Sequence, residues 1–223
     1  MRLLKIIFLA IALSAICAHS QDATTNAAPA TNSVPDALET ADEKKWTFSV
    51  SAYTYFVRDG DDYVQPTITA DRGWLHLEAR YQYEDLDTVS TWIGYNLSGG
   101  KKLEWEFTPM VGGVFGDTSG FAPGYKGSLS WWKLELYSEG EYVFDSEVHS
   151  DSFFYTWSEL SLRPVVWLRF GYVAQRTRAY ESDVDIQRGI LVGFTYKKID
   201  LGAYVFNLEE SKPMLVMSLA LNF

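Results

Sequence analysis

Two histidines carry most of the acid–base chemistry open to this chain once a leader is removed. His76 lies two residues from Glu78, and His149 stands between Asp145 and Asp151. Acyl transfer or lipid hydrolysis needs a nucleophile with a positioned base beside it. In the strand pairing set out below, the residue opposite His76 is Thr69, close to a tight turn, and His149 falls in an acidic connection. Neither arrangement aims a base at a nucleophile, so the sequence predicts no enzyme. Asp59, Asp61 and Asp62 come nearest to a calcium loop but lack its later glutamate. Gly94, Gly99, Gly100 and Lys101 lack the Ser or Thr and the following helix that a phosphate loop requires. No metal and no cofactor is expected.

The remaining chemistry is charge. Glu78, Arg80, Glu104, Glu106, Lys126, Glu135, Glu139, Glu159 and Arg169 fall on the polar side of alternating runs, together with Glu141 and Arg163. Inside a tube, such residues form rings that bias which solutes pass. Paired across strands, they would instead salt-bridge a closed interior, each pair contributing roughly 0.2–1 kcal/mol. Both readings make these residues the candidate pore lining or its filling.

Strands must position them. Over 74–84, Leu75, Leu77, Ala79, Tyr81 and Tyr83 fall on one face, and His76, Glu78, Arg80, Gln82 and Glu84 on the other. About twelve such runs of ~10 residues follow Trp46, with ten as the alternative. Five tight turns close as hairpins with apolar residues meeting apolar: Ala70 with Leu75, Leu97 with Leu103, Leu129 with Leu136, Leu160 with Leu168 around Pro164, and Phe194 with Ala203. The same registers put Lys126 opposite Glu139, Glu159 opposite Arg169, Gln65 opposite Arg80 and Asn96 opposite Glu104. They also set Gly171 against Trp157 and Gly193 against Tyr204, where a missing side chain makes room for a ring. The other six connections, at 58–62, 84–87, 116–124, 145–151, 180–185 and 208–212, hold fifteen Asp or Glu against Arg58 and Lys212.

Composition agrees. Aromatic residues make up 16% of the chain, with eight Trp and fourteen Tyr, and the formal net charge of -10 argues against a nucleic-acid partner. Residues 1–20 read as a secretory signal peptide, with Arg2 and Lys5 before an apolar run and small residues near Ser20. Cys17 lies within it, and Ile16 before that cysteine argues against a lipoprotein signal. Residues 21–45 read as a disordered periplasmic lead-in, and 46–223 as the folded body.

The last eleven residues decide the class. Leu215, Met217, Leu219, Leu221 and Phe223 alternate along one oily face. A terminal Phe behind alternating apolar residues resembles the assembly signal of bacterial outer-membrane β-barrel proteins. The resemblance implies an all-β, transmembrane, antiparallel up-and-down barrel in the outer membrane, with both termini in the periplasm. It also implies short turns on that side, acidic connections outside, and partners limited to outer-membrane lipid, lipopolysaccharide and the assembly machinery. In length and strand count the chain is similar to small monomeric porins that admit acidic oligosaccharides, which implies a monomer. Its mixed, slightly acidic lumen departs from the basic lumen expected of those porins. The expectation is therefore a passive channel for small neutral or weakly cationic solutes, with a non-conducting interaction barrel as the alternative.

Overall fold

Period-2 alternation with bulky apolar residues on one face is a strand pattern, and the chain obeys it almost throughout. The computed structural model describes residues 45–58, 60–147, 152–179, 185–209 and 213–223. Its strands are β1 (Thr47–Phe56), β2 (Tyr63–Arg72), β3 (Leu75–Tyr81), β4 (Val89–Tyr95), β5 (Leu97–Gly99), β6 (Leu103–Phe115), β7 (Gly120–Trp131), β8 (Leu134–Asp145), β9 (Phe153–Val165), β10 (Leu168–Ala179), β11 (Asp185–Tyr196), β12 (Ile199–Phe206) and β13 (Met214–Asn222). All pairings are antiparallel between chain neighbours, and β1 pairs with β13 to close the sheet. β4 and β5 both pair with β6 on either side of Asn96, so they form one interrupted strand and the barrel has twelve. The leader and lead-in expected over 1–45 lie, except for Lys45, outside the described residues, as do Asp59 and His149.

The outer wall is apolar. Ile68, Leu77, Ile93, Val111, Phe121, Leu160, Val192, Leu201 and Met217 all face outward and are exposed. Aromatics crowd the tight-turn end, where Trp46, Trp74, Trp131, Trp167, Tyr196 and Phe223 are exposed and Trp132 is 82% exposed. A closed barrel with an oily belt and an aromatic girdle spans a membrane with strands, since every backbone group is paired and no edge remains. Leu215, Met217, Leu219 and Phe223 belong to this exposed outer face, with Leu221 half-buried.

The registers correct the sequence reading in size but not in parity. Leu129 pairs with Leu136 as expected. Ala70 pairs with Leu77 rather than Leu75, and Phe194 with Leu201 rather than Ala203, slips of two residues. Leu97 pairs with Phe107 rather than Leu103, and Leu160 with Tyr172 rather than Leu168, slips of four. In the last case β9 runs through Pro164 to Val165, so the turn falls at Val166 and Trp167. Three of the tight turns open on a left-handed residue, Gly73 (φ 60°), Trp132 (φ 56°) and Lys197 (φ 56°), as two-residue hairpins require. Every slip is even because an odd one would turn the charged face into lipid.

The slips move several expected partners. Arg80 faces Thr67, not Gln65, and Gly171 faces Ser161, not Trp157. Gly193 faces Gly202, not Tyr204. The room at Gly193 serves a cation instead of a ring, because a Cβ there would stand 2.6 Å from Nε of Arg169. Replacing Gly193 with Val therefore displaces the Arg169 guanidinium, and we expect a loss of about 1–3 kcal/mol, read as a lower midpoint in urea unfolding followed by tryptophan fluorescence.

Candidate functional site in the barrel lumen

The inward residues divide the lumen into two walls. Along β9 to β13 and β1, Tyr55, Trp157, Val173, Leu191, Tyr204, Phe206 and Val216 form one buried apolar cluster. Tyr204, Phe206 and Val216 are 0% exposed although they point away from lipid. This explains why the alternation fades over 141–144 and 153–157, where both faces carry aromatic or aliphatic residues. A second buried cluster joins Trp92, Met110, Val114, Ala122 and Val143 near the long connections.

The opposite wall is a charged girdle centred on Arg80, which is only 3% exposed. Its Nε donates to Glu78 Oε1 at 2.6 Å and its Nη1 to Glu141 Oε2 at 2.7 Å, with Glu84 Oε1 3.6 Å away. The guanidinium lies over the rings of Tyr83 (4.2 Å) and Trp92 (4.6 Å). Lys126 Nζ donates to Glu78 and stands 3.9 Å from Glu139. His76 places Nδ1 2.7 Å from Asp71 and Nε2 3.0 Å from Glu78. Carboxylates only accept, so both ring nitrogens donate here and neither is left to activate a nucleophile. The residue opposite His76 is Asp71, not Thr69.

Part of the girdle comes from a segment expected to be a solvated outer loop. β3 ends at Tyr81, and Gln82 (φ 56°) and Asp87 (φ 53°) bracket a turn back into the lumen. Tyr83 thereby leaves the outward face assigned to it, and its hydroxyl donates to Glu139 at 2.5 Å. Burial, with Glu139 beside it, pushes the Tyr83 phenol well above its ordinary range, so it remains a donor. Glu84 accepts from Ser90 Oγ, and Asp85 accepts from Thr118 Oγ1 at 3.0 Å. The acidic 84–87 connection is thus anchored inside the barrel mouth.

The other sequence candidates spread along the tube. Glu159 and Arg169 still meet at 2.8 Å, but diagonally, since Glu159 faces Val173. Arg169 also donates to Tyr204 Oη, and Trp157 Nε1 to Glu159. Glu135 pairs with Arg163 at 3.2 Å near the tight turns. Glu104 and Glu106 are exposed at that end and join no ion pair among the described residues, and Asn96 meets Thr108 rather than Glu104. The sequence reading had Trp157 and Tyr204 inward and Glu84 on the polar face, but it missed Tyr83 and the inward aromatics Tyr53, Tyr55, Tyr137 and Tyr155. The signal available for those aromatics was their place on the polar side of otherwise alternating strands.

Two cavities flank the girdle. One of about 520 Å³ opens at the tight-turn end and is lined by Asp71, His76, Thr108, Glu106, Lys126 and Glu135 among others. One of about 290 Å³ lies toward the long connections, lined by Tyr63, Gln65, Glu84, Asp85, Tyr155 and Gln175 among others. The girdle between them holds five acids, Asp71, Glu78, Glu84, Glu139 and Glu141, against Arg80, Lys126 and His76. Glu84 Oε2 and Glu141 Oε1 are buried without a hydrogen-bond partner. Among the described residues no group of three or more His, Cys, Asp or Glu could hold a metal ion.

Comparison of the fold with solved structures gives a consistent picture. A KdgM porin covers 78% of this chain and 99% of its own length, with a TM-score of 0.55 and 11% identity. The chain has the fold of the outer-membrane porins. The KdgM porin in complex with disordered oligogalacturonate gives a TM-score of 0.56 over the same shares of both chains, also at 11% identity. The Acinetobacter baumannii outer membrane protein Omp33 is matched over its whole length at 9% identity and a TM-score of 0.47. No family model matches the sequence. No curated protein matches it either.

Proposed function

We propose that this chain is an outer-membrane, porin-like channel of narrow bore that passes small neutral or cationic solutes. The carrying observation is the acidic girdle set between two cavities that open toward opposite ends of the tube. Five acids against Arg80, Lys126 and His76, with two unpartnered buried carboxylate oxygens, favour a cation at the constriction and disfavour an anion. Glu104 and Glu106 add exposed acid on the inward side of β6 at the tight-turn end, next to the exposed turn lysines Lys101, Lys102, Lys133, Lys197 and Lys198. Both termini lie on the periplasmic side in this reading, with the long acidic connections outside. The oligogalacturonate in the KdgM complex is an anion, and the lumen bases Arg80, Lys126, Arg163 and Arg169 are each already paired with a glutamate.

Single-channel conductance of the refolded barrel in a planar bilayer, under a salt gradient, tests the reading. Cation-preferring steps are expected. Changing Glu104 and Glu106 together to Gln removes two negative charges from the entrance and should move the reversal potential toward zero. Anion preference would overturn the proposal.

A non-conducting barrel is the second reading, favoured by the near-complete burial of Arg80, Glu78, Tyr204, Leu191 and Val216. Folded, heat-modifiable protein that never conducts would select it.

A further inference from the structure

The cavity of about 290 Å³ toward the long connections lies on the inner side of β1, β2, β9 and β10, with the turn over 82–86 completing its wall. Its rings are Tyr55, Tyr63, Tyr83, Phe153 and Tyr155. Tyr55 and Tyr63 are direct partners across two strands and stack at 4.7 Å, while Tyr83 meets Tyr155 edge-on. The charge in the lining has one sign. Glu84 and Asp85 contribute two carboxylates, and no Lys, Arg or His stands among the described lining residues. Arg80 lies behind the Tyr83 ring, and its direct bonds go to Glu78 and Glu141.

Three side chains of this lining have hydrogen bonds left to make. Gln65 is 9% exposed, faces the lumen opposite Tyr53, and its amide has no partner among the described residues. Glu84 Oε2 and Gln175 Oε1 are buried without a partner. Both of those atoms are acceptors, and the Gln65 carbonyl is a third. A ligand that completes this set has to donate. The two carboxylates favour a ligand that donates with a positive charge, and they repel an anion. The rings favour the same group, because a cation within about 6 Å of a ring centroid is drawn to its face. A neutral sugar also donates, but it gains nothing from the charge of Glu84 and Asp85. The volume is near the lower end for ligand pockets, about 300 Å³, so the occupant is small.

We propose that this cavity binds a small organic cation, an alkyl ammonium or guanidinium. Its head is held by Glu84, Asp85 and the Gln65 amide, and its alkyl part lies against Tyr55, Tyr63 and Tyr155. The inference deepens the channel reading and rests on it for its use: the cavity seats a cation arriving from the long-connection side before it meets the Arg80 girdle.

Isothermal titration of the refolded full-length protein in non-ionic detergent tests this, with butylamine and butylguanidine as cationic probes and butanol and glucose as neutral ones. The cations should bind the parent and the neutral probes should not compete with them. Affinity for the cations should fall about tenfold or more in the E84Q/D85N variant. It should fall about threefold or more in Q65L, which removes hydrogen bonds and no charge. Equal affinity of parent and E84Q/D85N overturns the proposal, as does binding of butanol or glucose as tight as that of butylamine. Loss in E84Q/D85N with none in Q65L also overturns it, since the carboxylates would then attract cations diffusely without seating one. Heat-modifiable migration verifies that each variant is folded, and Q65L keeps the test decisive if the double variant is not. Conductance of the same preparations reads the pore separately. Binding without conductance removes the channel and leaves the site, and conductance without binding does the reverse.

Discussion

Replacing Arg80 with Met should destabilise the folded barrel by about 3–5 kcal/mol, the usual result of stranding a buried charge. The guanidinium holds Glu78 and Glu141 by direct bonds and stands beside Glu84. With it gone, three carboxylates share a dry site with only Lys126 and His76 to offset them. Unfolding in urea, followed by tryptophan fluorescence in detergent, measures the loss. Adding Glu78→Gln and Glu141→Gln to the same chain should restore much of the stability, because the cost lies in the stranded acids rather than in the missing arginine. An unchanged midpoint in the Arg80→Met variant would mean that the girdle is wetted and that its ion pairs are solvated.

The second large effect concerns conductance. Replacing the segment from Gln82 to Asp87 by a short Asn-Gly turn should raise single-channel conductance several-fold. That segment puts Tyr83 and Glu84 into the lumen, where Tyr83 bonds Glu139, caps the Arg80 guanidinium and meets Tyr155 edge-on at 5.6 Å. Without it, one side of the constriction retreats to the barrel wall. The milder Tyr83→Ala change should move conductance in the same direction by less. Equal conductance of the parent and the short-turn variant would place the narrowest point elsewhere, at the wall of Trp157 and Tyr204.

Much of the barrel is legible in the sequence because its rule is local. Alternation tells which side of a strand is oily, and Glu78, Arg80, Lys126, Glu139, Glu159 and Arg169 all lie on the inward side that alternation assigns them. Exact partners are not legible, because hairpins displaced by two or four residues satisfy the same alternation. Leu160 against Leu168 and Leu160 against Tyr172 are equally apolar, and only the place of the turn separates them. The girdle escapes for a different reason. Gln82 takes a left-handed conformation, which no residue pattern announces for a glutamine, and it carries Tyr83 from the outer face to the lumen. The apolar wall escapes because alternation treats an inward Tyr204 or Val216 as an exception, whereas together they form a core.

That core has a consequence for the seam where β1 meets β13. Tyr55 and Val216 are direct partners across it, and both are almost wholly buried on the lumen side, packed with Tyr204 and Phe206. On the other side Ala52 meets Leu219 and Thr54 meets Met217. Parting these two strands would strip a row of backbone hydrogen bonds and also break a dry interior contact. The seam is therefore fastened from inside as well as by its ladder, and a lipophilic molecule has no sideways exit from the lumen there. Whatever crosses this barrel travels along its axis.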